Sequence, residues 1–272
     1  MHFKRYILLL LGLFSLCNAV LGAEDLDAKG DSLQIPAEQI TGTMRQTSMP
    51  ELGEGRLSKI LSRYYIEGLG GDKKWGEVSS LKFAGTLELE SGEFELVAYQ
   101  KKPNLIKMTI RSNQSSHGDL VLAYDGKHAW QQKPGREAKP QLMNEDEARR
   151  FIHSSSFRNH LLYPFALGKK IAYIDTVPVE GSICHQIRVT LDTGYQVDYY
   201  IDIRSHLEVK AVNTDLRTGL VSSVVYKNYS REFDIPIAMQ VDSFENGKWV
   251  STLTADQVKV NAGVIPWMFK MR

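Results

Sequence analysis

Residues suited to chemistry are few in this chain, and their spacing argues against most reactions. Gly30-Asp31-Ser32-Leu33 spells the nucleophile motif of one esterase family. No apolar strand precedes it and no Asp-x-x-His follows near the C-terminus, so it reads as coincidence. Gly-x-Ser-x-Gly, a phosphate-binding loop and a dinucleotide fingerprint do not occur. His117, His128, His153, His160, His185 and His206 show neither His-x-x-x-His nor Cys-x-x-Cys spacing, so no metal site is expected. His153-Ser154-Ser155-Ser156 sets a base beside hydroxyls, but sequence neighbours on a helix do not face one another, and a solvated helix face is the expected reading. Cys184 alternates with Ser182, Gln186 and Arg188 on what reads as a polar strand face, with no cation placed to activate it. Trp130, Trp249 and Trp267 read as packing anchors, and Asn113 and Asn228 head Asn-x-Ser sequons that matter only in a glycosylating source. No paired carboxylates appear, no cofactor is implied, and catalysis ranks last among the functions considered.

The elements that must position any site begin after a leader-like segment. Lys4 and Arg5 precede an apolar run from Tyr6 to Leu16, with small residues at Ala19, Gly22 and Ala23, so residues 1–23 read as a secretory signal peptide. The run is short of the ~20 residues that a spanning helix needs, and no later stretch matches it, so no transmembrane segment is expected after cleavage. Cys17 follows Leu16 where a lipobox wants a small residue, which argues against lipid anchoring and for a soluble periplasmic location. Cys184 is then the one cysteine of the mature chain, so packing rather than a disulfide must supply stability. A net charge of +1 lacks the basic excess that nucleic acid recruits, while 43% hydrophobic and 24% charged residues fit an ordinary globular protein.

Residues 24–56 are polar, interrupted by glycine and proline, and are expected to be a flexible extension. Leu57, Ile60, Leu61, Tyr64, Tyr65 and Leu69 recur at helical spacing until Gly70-Gly71 ends the run. Thereafter apolar and polar residues alternate, which predicts about twelve half-buried antiparallel strands near 81–90, 93–102, 105–112, 119–124, 128–133, 171–178, 183–191, 195–203, 207–213, 220–229, 237–245 and 248–259. Turn signals at Ser91-Gly92, Asp125-Gly126, Thr193-Gly194, Thr218-Gly219 and Asn246-Gly247 imply sequential up-and-down pairing. Between Asn144 and Gly168 the period becomes helical, with Asn144 as N-cap and Glu147 completing a capping box. The fold class is therefore mainly β: a large antiparallel sheet with a preceding helix and a helical insertion. A sheet of this length must curl, and closing most of the way would leave an interior that is either filled or hollow.

Read in order over residues 57–272, several segments resemble the LolA/LolB-like family of periplasmic outer-membrane lipoprotein carriers and lipoprotein-sorting proteins. They are Tyr65-Ile66-Glu67-Gly68-Leu69-Gly70-Gly71, Leu81-Lys82-Phe83-Ala84-Gly85-Thr86, Lys101-Lys102-Pro103, Tyr124-Asp125-Gly126 with Trp130, Gly181, Tyr200-Ile201-Asp202 near Leu207, and Ile265-Pro266 leading to Phe269. The resemblance implies a strongly curved, incomplete antiparallel barrel of about 11–12 strands with a helical lid over an apolar cavity. The extension at 24–56 is longer than a simple carrier needs, and no ligand-contacting arginine of the family finds a counterpart here.

The expected function is an exported, non-enzymatic carrier whose cavity holds acyl chains of a lipoprotein or another amphiphile. The cavity candidates are Phe83, Leu87, Phe94, Leu96, Ile106, Met108, Ile110, Ile187, Val189, Tyr199 and Ile201, each of which would also suit a filled core. Residues 144–167 are the candidate lid, with a stripe of Phe151, Ile152, Leu161, Leu162 and Phe165 and bending points at Pro164 and Gly168. The alternative, on a fold shared with envelope-stress regulators, is a module that binds another envelope protein through the curved sheet and the extension.

Overall fold

Left-handed backbone at the predicted turns organises the chain. Asn246-Gly247, with φ of 49° and 74°, reverses it between two long strands, and the glycines of the other four turns also have positive φ. Between the turns, alternating β-branched and aromatic residues suit a half-buried pleated surface. The structure, a computed structural model, describes residues 32–34, 55–112, 118–135, 137–157, 159–161 and 169–272.

Among the described residues fourteen strands form one sheet: β1 (Ser32–Gln34), β2 (Ser80–Leu89), β3 (Gly92–Lys101), β4 (Leu105–Ser112), β5 (Leu120–Tyr124), β6 (Ala129–Gln132), β7 (Gln141–Leu142), β8 (Lys170–Val179), β9 (Ser182–Thr190), β10 (Tyr195–Asp202), β11 (Glu208–Asp215), β12 (Val221–Glu232), β13 (Ile235–Glu245) and β14 (Lys248–Val260). All twelve expected strands are present. The two additional ones are short: β7 lies at one edge, and β1, inside the segment read as a flexible extension, pairs with Lys170–Ala172 of β8 at the other.

The order in the sheet is β1-β8-β9-β10-β11-β12-β13-β14-β2-β3-β4-β5-β6-β7. Every neighbouring pair is antiparallel, as Leu87 opposite Leu253 in β2 and β14 illustrates. Pairing is sequential within each half, but β14 returns to β2, which corrects the expectation of a simple meander. β7 and β8, consecutive in sequence, therefore stand near opposite edges, and the chain between them must cross the sheet. That crossing contains the helical insertion, and the requirement to cover an apolar face explains why it is amphipathic.

Four register shifts, at Tyr173/Asp175, Tyr200/Ile201, Ser243/Phe244 and Ala255/Gln257, bend the strands. At the last of them β2 approaches β14 so closely that a Cβ on Gly85 would collide with the Thr254 carbonyl. The result is a curved, unclosed sheet whose concave side holds one core. Leu87 and Met108 from one half meet Ile187, Val197 and Tyr199 from the other in a single buried cluster.

Two helices complete it. α1 (Arg56–Arg63) continues into a wider turn at Tyr64–Gly68, where the Leu69 amide donates to the Tyr64 carbonyl at 3.0 Å, and Leu57, Leu61, Tyr64 and Tyr65 are buried. A second wide turn over Asp72–Gly76 was not legible in the pattern. α2 (Glu145–Ser154) begins with the predicted capping box between Asn144 and Glu147 and carries three acids on its first turn, which suits its positive end. It stops at Ser154, and Phe157 and Leu161 follow in irregular backbone rather than a continued helix.

Candidate ligand cavity

A cavity of about 200 Å³ opens beside the concave core, between the end of the crossing segment and the strands on either side of the β14–β2 join. Its apolar wall comes from Leu81 and Phe83 of β2, Tyr226 of β12, Ile237, Ala238 and Val241 of β13, and Leu253 and Ala255 of β14. Trp75 and Phe157, stacked with ring centroids 6.3 Å apart, close one side. Lys102 lies over the outer face of Phe157 and donates to the Gly76 carbonyl at 2.8 Å, tying the two loops together.

Gln100 of β3, paired with Leu81, adds a polar group to this wall, and the ionisable groups gather on the opposite one. Glu208, the first residue of β11, accepts hydrogen bonds on Oε1 from the Tyr64 hydroxyl and the Asn159 amide, and all three side chains line the cavity. Tyr229 donates its hydroxyl to the Glu208 carbonyl at 2.8 Å. Burial raises the Glu208 carboxyl above its ordinary value, with the two hydrogen bonds pulling back. Burial, and then the adjacent Glu208 carboxylate, raises the Tyr64 phenol well above its own.

Behind this wall lies a second polar group. The His153 and His160 rings stack at 4.4 Å, and Tyr195 stacks on His153 at 3.8 Å. His153 Nε2 meets Asn213 Oδ1 at 2.7 Å, and the His160 amide donates to the Tyr199 hydroxyl at 2.9 Å. Burial holds His153 down at about 4 and His160 well below the usual imidazole value, which favours the neutral ring in both. Lys169, fully buried, donates to the carbonyls of His160 and Leu161 at 2.9 and 2.6 Å, and burial lowers its amine well below the ordinary lysine value. Arg149 of α2 pairs with Asp215 of β11 and lies 4.8 Å from the Tyr195 ring centroid, which fastens the helix to the sheet.

Several sequence expectations change in this setting. Ser154 and Ser155 are buried, not solvated, and their hydroxyls donate to the Phe151 and Ile152 carbonyls at 2.9 and 2.7 Å, so they are not poised as nucleophiles. Cys184 is buried rather than on a polar surface, and burial pushes its thiol up to about 11, which leaves it inert. Trp130 is a buried anchor whose indole donates to the Phe269 carbonyl at 2.8 Å, whereas Trp249 and Trp267 are exposed.

Of the eleven cavity candidates, Phe83 lines the cavity. Leu87, Leu96, Ile106, Met108, Ile110, Ile187, Val189, Tyr199 and Ile201 are buried in the main core, and Phe94 packs half-buried against it. Of the lid stripe, Phe151 and Leu161 are buried in that core and Ile152 packs on it; Leu162 and Phe165, with Pro164 and Gly168, lie outside the described residues. Within the proposed lid, Ser156, Phe157, Asn159 and His160 are the residues that border the cavity. Glu208, Tyr64 and Asn159 went unnoticed in the sequence because a glutamate at a strand end looks like any solvated charge.

No family model matches the sequence, and no curated protein matches it either. Solved structures do. A LolA superfamily protein from Nitrosomonas europaea superposes with a TM-score of 0.54 at 12% identity, covering 78% of this chain and 96% of that one. The fold is LolA-like. A domain from Vibrio parahaemolyticus described as an outer membrane lipoprotein-sorting protein gives 0.52 at 9% identity, over 78% of this chain and 95% of its own. A DUF1329 family protein from Desulfovibrio piger ATCC 29098 gives 0.53 at 12% identity, with 78% and 95% covered. At these identities the likeness is one of fold.

Proposed function

We propose that this chain is an exported, non-enzymatic carrier that shelters an acyl chain of a lipid or lipoprotein in the cavity bordered by Phe157 and Asn159. One observation carries the reading: the lining of the hollow is mainly apolar, with a wall of Phe83, Ile237, Val241 and Leu253, and its ionisable groups lie with Glu208 on the far side from that wall. Surface of that kind is what an acyl chain needs, because each methylene drawn from a bilayer costs about 0.8 kcal/mol unless equivalent apolar surface replaces it. The volume of about 200 Å³ lies under the ~300–1,000 Å³ of typical ligand pockets. It suits part of one chain, and deeper insertion requires Phe157 and Asn159 to move outward. On this reading the moving part follows α2, while α2 itself stays fixed through Arg149 and Asp215. Export is supported by the leader pattern of residues 1–23, and no helix among the described residues is long and apolar enough to cross a membrane. Native mass spectrometry of protein recovered from its own envelope tests the proposal: a bound species of lipid mass is expected. Protein that is ligand-free and also fails to take up a fluorescent acyl probe with an uncharged head would refute it.

A further inference from the structure

A carboxylate on the wall of an apolar cavity is costly unless something pairs with it. Glu208 occupies such a place, and the partners it has do not complete it. The Tyr64 hydroxyl and the Asn159 amide both donate to Oε1. Tyr229 reaches the backbone carbonyl rather than the carboxylate. Among the described residues no lysine, arginine or histidine forms an ion pair with Glu208, and the side-chain hydrogen bonds given to its carboxylate by Tyr64 and Asn159 both end on Oε1. His206 and Lys210, its basic neighbours in sequence, are engaged elsewhere, with Glu67 at 3.1 Å and Glu180 at 3.9 Å, and Lys169 donates to two backbone carbonyls.

Resting on the acyl-cavity reading, we infer that Glu208 is the head-group-selecting residue, and that the cavity takes single-chain amphiphiles whose head donates hydrogen bonds, ammonium before hydroxyl, and rejects carboxylates. With Tyr64 and Asn159 both bonded to Oε1, Oε2 is the oxygen left for a donor on the ligand. A cationic head adds a charge-assisted bond and a counter-charge that no described residue supplies. A carboxylate head would set two anions together where little water screens them. Tyr64 and Asn159 act as positioning residues that hold Glu208 in this orientation.

The test uses three ligands of one chain length, decylammonium, monodecanoylglycerol and decanoate, each displacing a fluorescent acyl probe from the full chain at neutral pH below its micellar concentration. Decylammonium is expected to bind at least tenfold more tightly than decanoate, with monodecanoylglycerol between them. Glu208→Gln, which keeps an oxygen for Tyr64 and Asn159, should weaken decylammonium about tenfold and strengthen decanoate. Decanoate binding as well as decylammonium in the wild-type chain overturns the inference whatever the variant does, and so does an unchanged order in a folded Glu208→Gln protein. Displacement by none of the three, with no uptake of the probe, refutes the acyl-cavity reading itself, and the head-group inference falls with it.

Discussion

Replacing Lys169 with methionine should produce a stability deficit that shrinks as the pH falls. In the folded chain the Lys169 amine is buried and gives hydrogen bonds to the His160 and Leu161 carbonyls. Methionine fills a similar volume but leaves both carbonyls without that donor, at about 1–3 kcal/mol each for a buried acceptor. Above the unfolded lysine value of about 10.4, where the amine is neutral in both states, the variant should be less stable by roughly 2–6 kcal/mol. Below it the unfolded wild-type chain gains a proton that burial keeps from the folded chain, since the folded amine titrates well below its ordinary value. The unfolded state then binds more protons, so wild-type stability falls as the pH drops, by up to about 1.4 kcal/mol per unit until the folded value is reached. The variant lacks this slope. Urea denaturation of both proteins at pH 7, 8, 9 and 10, followed by tryptophan fluorescence, measures the difference, and other titrating groups cancel in it. A deficit that stays constant with pH, or grows toward pH 7, would show that the folded lysine is charged and that its bonds to the carbonyls outweigh burial. Since the same amine holds the backbone at His160, on the cavity wall, the variant should also change acyl-probe affinity.

Asp215→Asn leaves the Arg149 guanidinium, nearly buried, without its carboxylate and should cost about 3–5 kcal/mol in chemical denaturation. Burial pushes the Asp215 carboxyl up, but bonds from Arg149, the Arg217 amide and Thr218 hold it below the usual value. Its contribution is therefore complete above the unfolded aspartate value and lost as the pH falls through the lower folded one. The wild-type stability curve should accordingly fall on that acid limb, and the variant's should be flatter there. Leu87→Ala, deep in the main core, should cost about 2–5 kcal/mol with little effect on acyl-probe affinity, whereas Phe83→Ala, half-buried on the cavity wall, should cost less stability and shift that affinity. Equal stability costs with equal probe affinities would remove the distinction between core and cavity.

Local rules carried the sequence a long way. Period-two alternation in Ile183–Leu191 and Tyr195–Ile203, with Thr193-Gly194 between them, sufficed for a hairpin, because side-chain direction along a strand and positive φ at a turn depend on neighbours in the chain. Asn144 and Glu147 likewise announced the start of α2. What the tertiary structure decided depends on residues far apart in sequence. The join of β14 to β2 sends the chain across the sheet, which places Phe157 and Asn159 against β2 and β11. Apolar periodicity could identify Leu87, Ile187 and Tyr199 as inward-facing but not separate a packed interior from a hollow one, since both need the same residues on the same face. That division depends on how far the bulges bend the sheet and on which side chains meet across it. Glu208 is the sharpest case: its chemistry comes from Tyr64, 144 positions earlier, from Asn159, 49 positions earlier, and from burial that no neighbour in the chain provides.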